Sequence, residues 1–296
     1  LITPWTFKHY GPSIAFGMPG ILMFIATVVF WMGRHQYVHV PPTKSDGNGF
    51  MNVIKTCFST PAKDGQGFFD RAIAKHGAEN ADGAKAVWDI SKVFLAVSVF
   101  WALFDQHGSS WVIQAGKMDL MFMGIPFEAS QISAWNPIMV MALIPIFTMG
   151  VYPGMAKMGW NVTPLRRMTI GMFVTAFAFV CAALIQMQLD GGNQINVMWQ
   201  FFPYLIITIA EVMVSITGLE FAYTQAPRSM KSSIMSMWLL TVFLGNQLVG
   251  FVTKVENIIP VASTGYFFFF AGIMGAAAVV FAIMASKYKT RSYMQA

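Results

Sequence analysis

The chain has 296 residues, of which 56% are hydrophobic and 11% charged, with 27 Phe, 23 Met and 9 Trp. An ordinary soluble domain carries about 25% charged residues, and a soluble core of this length cannot hide so much apolar surface, so a bilayer must solvate much of the molecule. The formal charge of +6 does not imply a nucleic-acid partner, because the basic residues stand between apolar runs and not on one face.

The chain opens on Leu1-Ile-Thr-Pro-Trp5, without Met and without a basic-then-apolar leader, which reads as a piece of a longer protein. Apolar runs of spanning length, about 20 residues, follow near 12–34, 91–116, 130–152, 166–189, 198–225, 230–253 and 264–286. Unbroken runs of this length predict helices, the form that satisfies its own backbone in lipid. The tract 35–90 is the one polar stretch between them. Val38-His-Val-Pro-Pro42 starts it in extended form, because Pro-Pro stops a helix. Residues 50–58 and 68–76 are expected as short amphipathic helices on the membrane surface.

A linker this long joins two bundles more naturally than two neighbouring helices. The expected organisation is therefore 1–34 as the end of an N-terminal bundle, 35–90 as an inter-bundle linker, 91–289 as a six-helix bundle and 290–296 as a tail. With the linker placed in the cytoplasm, sixteen of the 19 basic residues share its side, and only Lys8, Lys117 and Lys254 lie opposite. That asymmetry predicts a cytoplasmic C-terminus. Cys57 and Cys181 fall in unlike environments with no metal or redox spacing, so neither a disulfide nor a metal site is expected.

Charged residues inside a spanning helix are costly and by default functional. Asp105 lies within the second run and Glu211 within the fifth, with Glu220 nearer the cytoplasmic end of that same run. Each of the first two is about 14 residues, roughly 21 Å, from the expected cytoplasmic end of its run. Two carboxylates at matched depth suit proton or cation binding; separate structural hydrogen bonds are the competing explanation. Thr208, Ser215 and Gly218 share the Glu211 face at helical spacing, which favours the functional reading there. His107 either shares a proton with Asp105 or makes a structural hydrogen bond.

Asn136-Pro137, Pro145, Pro153-Gly154, Pro203 and Gly218 mark expected breaks or flex points. Trp31, Trp160 and Trp199 fall near expected membrane interfaces, whereas Trp101 and Trp238 lie deeper and are read either as packing or as a site wall. The Asn161-Val-Thr163 sequon falls on the cytoplasmic side and is read as chance. No nucleophile constellation, metal cluster or phosphate-cradling loop is visible, which argues against an enzyme.

Three stretches carry a specific resemblance. Phe100-Trp-Ala-Leu-Phe-Asp-Gln-His-Gly-Ser109 resembles the seventh-helix motif of the proton-dependent oligopeptide transporters. Gly218-Leu-Glu-Phe-Ala-Tyr-Thr-Gln-Ala-Pro-Arg-Ser-Met-Lys-Ser232 resembles their tenth-to-eleventh helix signature, continued by Trp238-Leu-Leu-Thr-Val-Phe-Leu-Gly-Asn246. Gly11-Pro-Ser-Ile-Ala-Phe-Gly-Met-Pro-Gly20 and Asn136-Pro-Ile-Met139 are similar to the sixth and eighth helices.

The resemblance implies an all-α membrane protein of the major facilitator superfamily, here helix six plus the six-helix C-terminal bundle of helices seven to twelve. It implies proton-coupled symport of di- and tripeptides across a bacterial inner membrane, with protons as coupling ion and no other cofactor. The partners implied are the peptide, the lipid bilayer and the absent N-terminal bundle, which supplies the basic residues for the peptide carboxylate. Glu211 would face the peptide amino terminus, with Ser215 one turn away, Asn136 on the peptide backbone, and Trp101, Phe104 and Trp238 forming side-chain pockets. Asp105 would serve gating and proton coupling together with Glu211. A same-fold carrier of another solute such as nitrate is the alternative, and a membrane enzyme or scaffold the remote one.

Overall fold

A backbone in lipid must satisfy its own hydrogen bonds, and the apolar runs of this chain do so as helices. The structure is a computed structural model that describes residues 2–38, 47–62, 65–122, 124–160, 162–225, 230–254 and 259–288. His39 to Pro42, Asn161 of the sequon, and the basic residues Lys44, Lys63, Arg228, Lys289 and Arg291 lie outside the described residues.

In chain order the helices are α1 (Ile2–Tyr10), α2 (Pro12–Met32), α3 (Phe50–Ser59), α4 (Ile73–His76), α5 (Ala78–Phe104), α6 (Ser110–Ala115), α7 (Trp135–Pro145), α8 (Tyr152–Lys157), α9 (Pro164–Asp190), α10 (Phe201–Glu211), α11 (Thr217–Gln225), α12 (Lys231–Thr253) and α13 (Thr264–Lys287). Short irregular turns fuse several of these into seven stretches long and apolar enough to cross a bilayer. They are Pro12–His35, Ala78–Ala115, Ala129–Lys157, Pro164–Asp190, Val197–Gln225, Lys231–Thr253 and Thr264–Lys287. All seven overlap the expected runs. A two-stranded hairpin, β1 (Met121–Phe122) against β2 (Ile125–Pro126), caps the connection before α7 and departs locally from an all-helical chain.

The second span begins earlier than expected, at Ala78 and not near residue 91. Residues 78–90, expected in the polar tract, are therefore helical and continuous with the span, and these extra turns of α5 form a platform. Ala81, Ala84 and Val87 share one apolar face there. Phe50, Val53 and Cys57 of α3, together with Ala72 and Met230, pack onto it. Residues 50–58 form α3 as expected, and 68–76 forms a 3₁₀ turn, Phe69–Ala72, that runs into α4; Phe50, Val53, Cys57 and Ala72 of these segments bury against protein. His76, buried, joins them through Thr56 Oγ1 at 2.8 Å and Asn48 Oδ1 at 3.0 Å.

The spanning bundle is built on α9 packed along α13 and α5 packed along α12, with α10 against α9 and α7. One continuous core runs through it, including Phe94, Phe100, Trp111, Phe179, Tyr204, Phe267 and Phe270. At the end opposite the linker, buried glutamines tie spans together. Gln200 Nε2 donates to Gln114 Oε1 at 2.9 Å, and Gln114 Nε2 donates to Gln186 Oε1 at 3.1 Å. Gln186 in turn donates to Asp190 at 2.8 Å, whose other oxygen accepts from Thr264 Oγ1 of α13 at 2.6 Å.

Helix α2 differs from the rest. It is apolar all round, yet Ala15 is its only buried residue. On the same end of the molecule as the glutamines, Lys8 of α1 pairs with Glu128 ahead of α7 at 2.5 Å.

Candidate functional site

Glu211 ends α10, and the next five residues, Val212–Ile216, widen into a π-helical turn. A second π turn, Ile146–Val151, interrupts the third span directly after Pro145. Proline explains that one, because it offers no N–H and its ring crowds the preceding turn. No proline or glycine lies within Val212–Ile216 to explain the other. The two wide turns pack on each other, with Phe147 against Val212 and Met213. Such bulges inside helices recur at functional sites.

Asn136 reaches Glu211 from α7. Pro137 occupies the first turn of that helix, where its missing N–H costs nothing. The Asn136 amide nitrogen donates to Glu211 Oε2 at 2.9 Å and to Thr208 Oγ1 at 3.2 Å. Thr208 then donates to the Tyr204 carbonyl at 2.7 Å, and the Tyr204 hydroxyl donates to the His107 carbonyl at 2.5 Å. Asn136 is buried, whereas Glu211 and Ser215 are half-buried. This chain of bonds runs from the third span through the fifth to the second.

It reaches the second span at its break. After Phe104 the helix tightens into a 3₁₀ turn, Asp105–Gly108, and restarts at Ser110. The Asp105 carboxylate accepts from Asn246 Nδ2 of α12 at 2.8 Å. His107 uses Nδ1 on the Phe104 carbonyl at 2.6 Å and stands beside the Phe104 ring. Of the two sequence readings for His107, the structural hydrogen bond is the one the structure displays. Each carboxylate is held by one asparagine from another helix, and among the described residues no basic side chain forms an ion pair with either.

The three expected aromatics are contiguous. Trp101 meets Phe104 with centroids 5.8 Å apart and Trp238 at 6.2 Å, both edge-on. Trp101 is half-buried and Phe104 is buried. Trp238 is 5% exposed, wedged between Phe94 at 5.1 Å and Gly218. A Cβ on Gly218 would stand 2.4 Å from the Trp238 ring, so glycine permits this close approach. Trp31, Trp160 and Trp199 are all exposed. An added Cβ at Gly150 or Gly154 meets nothing within 4 Å, so neither glycine marks a close helix approach.

Sequence alone assigns no role to Asn246; an asparagine inside the apolar run 230–253 is the signal that points to it. The glutamine network also went unassigned, because one glutamine at each of three run ends carries no visible mutual spacing.

Comparison with known proteins supplies further findings. Residues 1–269 match a family profile described as "PTR2: POT family". Peptide transporter 3 of Caenorhabditis elegans is 36% identical over 184 residues, covering 60% of this chain and 26% of that protein. Solute carrier family 15 member 1 of Mus musculus is 31% identical over 235 residues, covering 70% of this chain and 33% of that protein. This chain thus spans a quarter to a third of the length of those relatives. A solved structure of an auto-inhibited POT family peptide transporter superposes with a TM-score of 0.89 at 36% identity, covering 100% of this chain and 68% of that one.

Proposed function

The chain belongs to the POT family, and from that premise we propose that it is helix six and the C-terminal bundle of a proton-coupled di- and tripeptide symporter. In this reading α2 belongs to the bundle that the chain otherwise lacks, which accounts for its exposed apolar surface. Residues up to 34 close that first bundle, the linker joins the two, and the six later spans form the second. The membrane in this reading is a bacterial inner membrane, and the chain's C-terminus is cytoplasmic; the sixteen basic residues that share the linker's side support the orientation.

The observation that carries the proposal is the Asn136–Glu211 pair at the wide turn of the fifth span. An amide N–H can donate to an ionised carboxylate or to the carbonyl oxygen of the protonated acid. The pair therefore tolerates both charge states, as a site that alternately binds a proton and a cation must. In this scheme Glu211 receives the peptide ammonium, with Ser215 on the same face and Asn136 on the peptide backbone. Trp101, Phe104 and Trp238 wall the side-chain pockets. Asp105, held by Asn246 at the break in the second span, couples the proton to the gate. The basic partner for the peptide carboxylate comes from the other bundle. Transport proceeds as the two bundles rock about the site.

The test uses the full-length protein in liposomes under an imposed pH gradient. Glu211→Gln is expected to reduce labelled dipeptide uptake to background, and free peptides, not nitrate, are expected to compete in the wild type. Near-normal uptake by the variant at both low and saturating substrate would defeat the assignment.

A further inference from the structure

We propose that the cleft between α5 and α13, at the end of the bundle where α13 finishes, binds the phosphate headgroup of an anionic phospholipid. The cleft encloses about 440 Å³, and Lys85, Asp89 and Lys92 of α5 and Lys287 of α13 form its rim. Below them the floor is apolar, built from Val93 and Met284 among others. None of its lining residues is among the carboxylates and aromatics described above, and the proposal rests on the seven spans, not on the peptide assignment.

Depth places the rim at the level of phosphates. Helix α13 has 24 residues, about 36 Å of rise, against a hydrocarbon core of about 30 Å. Its last residue, Lys287, therefore emerges among headgroups, and the α5 residues sharing the cleft lie at the same level. Trp88, 45% exposed between Lys85 and Lys92, is of the residue type that settles at this interface.

Charge then selects the ligand. Lys92 pairs with Asp89 at 2.7 Å, so three ammonium groups and one carboxylate leave the rim with two net positive charges. All three lysines are exposed, and their flexible stems can lie over the apolar floor while the ammonium groups meet phosphate. A lipid fits this arrangement better than a free anion, because the rim stands at headgroup depth, where phospholipid phosphate is the abundant anion. The leaflet on this side carries the chain's basic excess, as expected where anionic lipid gathers.

Native mass spectrometry of the full-length protein tests the site with phosphatidylglycerol, phosphatidylcholine and inorganic phosphate as probes. Each net positive charge near an anionic surface strengthens binding about fivefold, so two predict a preference of about 25-fold for phosphatidylglycerol over phosphatidylcholine. Lys85→Gln, Lys92→Gln and Lys287→Gln combined should bring that ratio to about twofold or less, while the matching three arginine substitutions should retain it. Lys55→Gln with Lys75→Gln, which removes two charges from the linker helices on the same side, should leave the ratio unchanged.

The lipid site is overturned if the triple glutamine protein keeps the preference, or if the arginine protein loses it while remaining monodisperse. Loss of preference in the linker variant would reduce the effect to overall charge and overturn it too. Displacement of phosphatidylglycerol by equimolar inorganic phosphate would assign the cleft to a free anion instead. Peptide uptake plays no part in this readout, so its failure and that of the transport reading are separable.

Discussion

Where α12 crosses α5, Gly245 lets the two backbones nearly touch: a Cβ there would stand 2.4 Å from the Ser98 carbonyl oxygen and 2.8 Å from the Ala102 nitrogen. Where α7 meets α10, the spans instead widen into facing π turns and place a carboxylate and an asparagine between them. The first contact is packed as a protein core is, with volumes fixed to within a methyl group. The second gives up regular helix geometry around a polar group that lipid would penalise. Read together, the seam is a stiff frame, and the α7–α10 pair is the deformable part mounted on it. Asp105 lies at the junction, at the end of the seam and at the break in the second span.

Substitutions can break or sharpen this contrast. The largest effect is expected at the seam. Gly245→Leu drives side-chain atoms into backbone that cannot rotate away, at a cost of about 3 kcal/mol or more, and the monodisperse peak of the full-length protein should be lost. A normal melting temperature would remove the stiff frame from the account. Gly218→Ala is milder, because the new methyl meets the Trp238 ring at 2.4 Å and Met168 Cε at 3.0 Å, both side-chain atoms able to shift. About 1–3 kcal/mol of destabilisation is expected, with a change in tryptophan emission.

At the site itself the expected effects on stability shrink and those on transport grow. Asn136→Ala strips Glu211 and Thr208 of a shared donor, worth about 1–2 kcal/mol. Proton-driven uptake should fall about tenfold with yield preserved, since about 1.4 kcal/mol is a factor of ten. Unchanged uptake would separate the asparagine from the site. Thr208→Val removes one hydroxyl from the same chain of bonds, about 0.5–1.5 kcal/mol, and should alter uptake least. A loss as large as that of Asn136→Ala would mean the network, not the pair, carries the function.

Much of the architecture was legible because lipid enforces a simple rule: seven apolar runs of spanning length became seven helical spans. The first turns of α5 escaped that rule. Ala78 to Ile90 mixes charged residues with small apolar ones, so its helical face is visible only once Phe50, Val53 and Cys57 are seen packed on it. The amphipathic pattern of the linker was read correctly as helix, but amphipathicity does not say whether protein or membrane covers the apolar face. At the site, Glu211 stood out because a charge inside an apolar run is rare, and Thr208 followed from helical spacing. The π turn after Glu211 left no mark, for Val212 to Ile216 is as good a spanning sequence as any regular helix. Asn246 was passed over because its partner, Asp105, lies 141 residues away, and periodicity along one helix cannot reveal a bond across two.

The central claim is that the Glu211 carboxylate, presented by Asn136 at the wide turn of α10, receives the ammonium group of a peptide. Binding of a dipeptide and of its N-acetylated form to the full-length protein, wild type and Glu211→Gln, tests it most directly. A hydrogen bond to a charged group is worth about 1.5–3 kcal/mol, so the wild type should prefer the free amine by about 10- to 100-fold, and the variant should lose that preference. An equal preference for the free amine in both proteins would contradict the account.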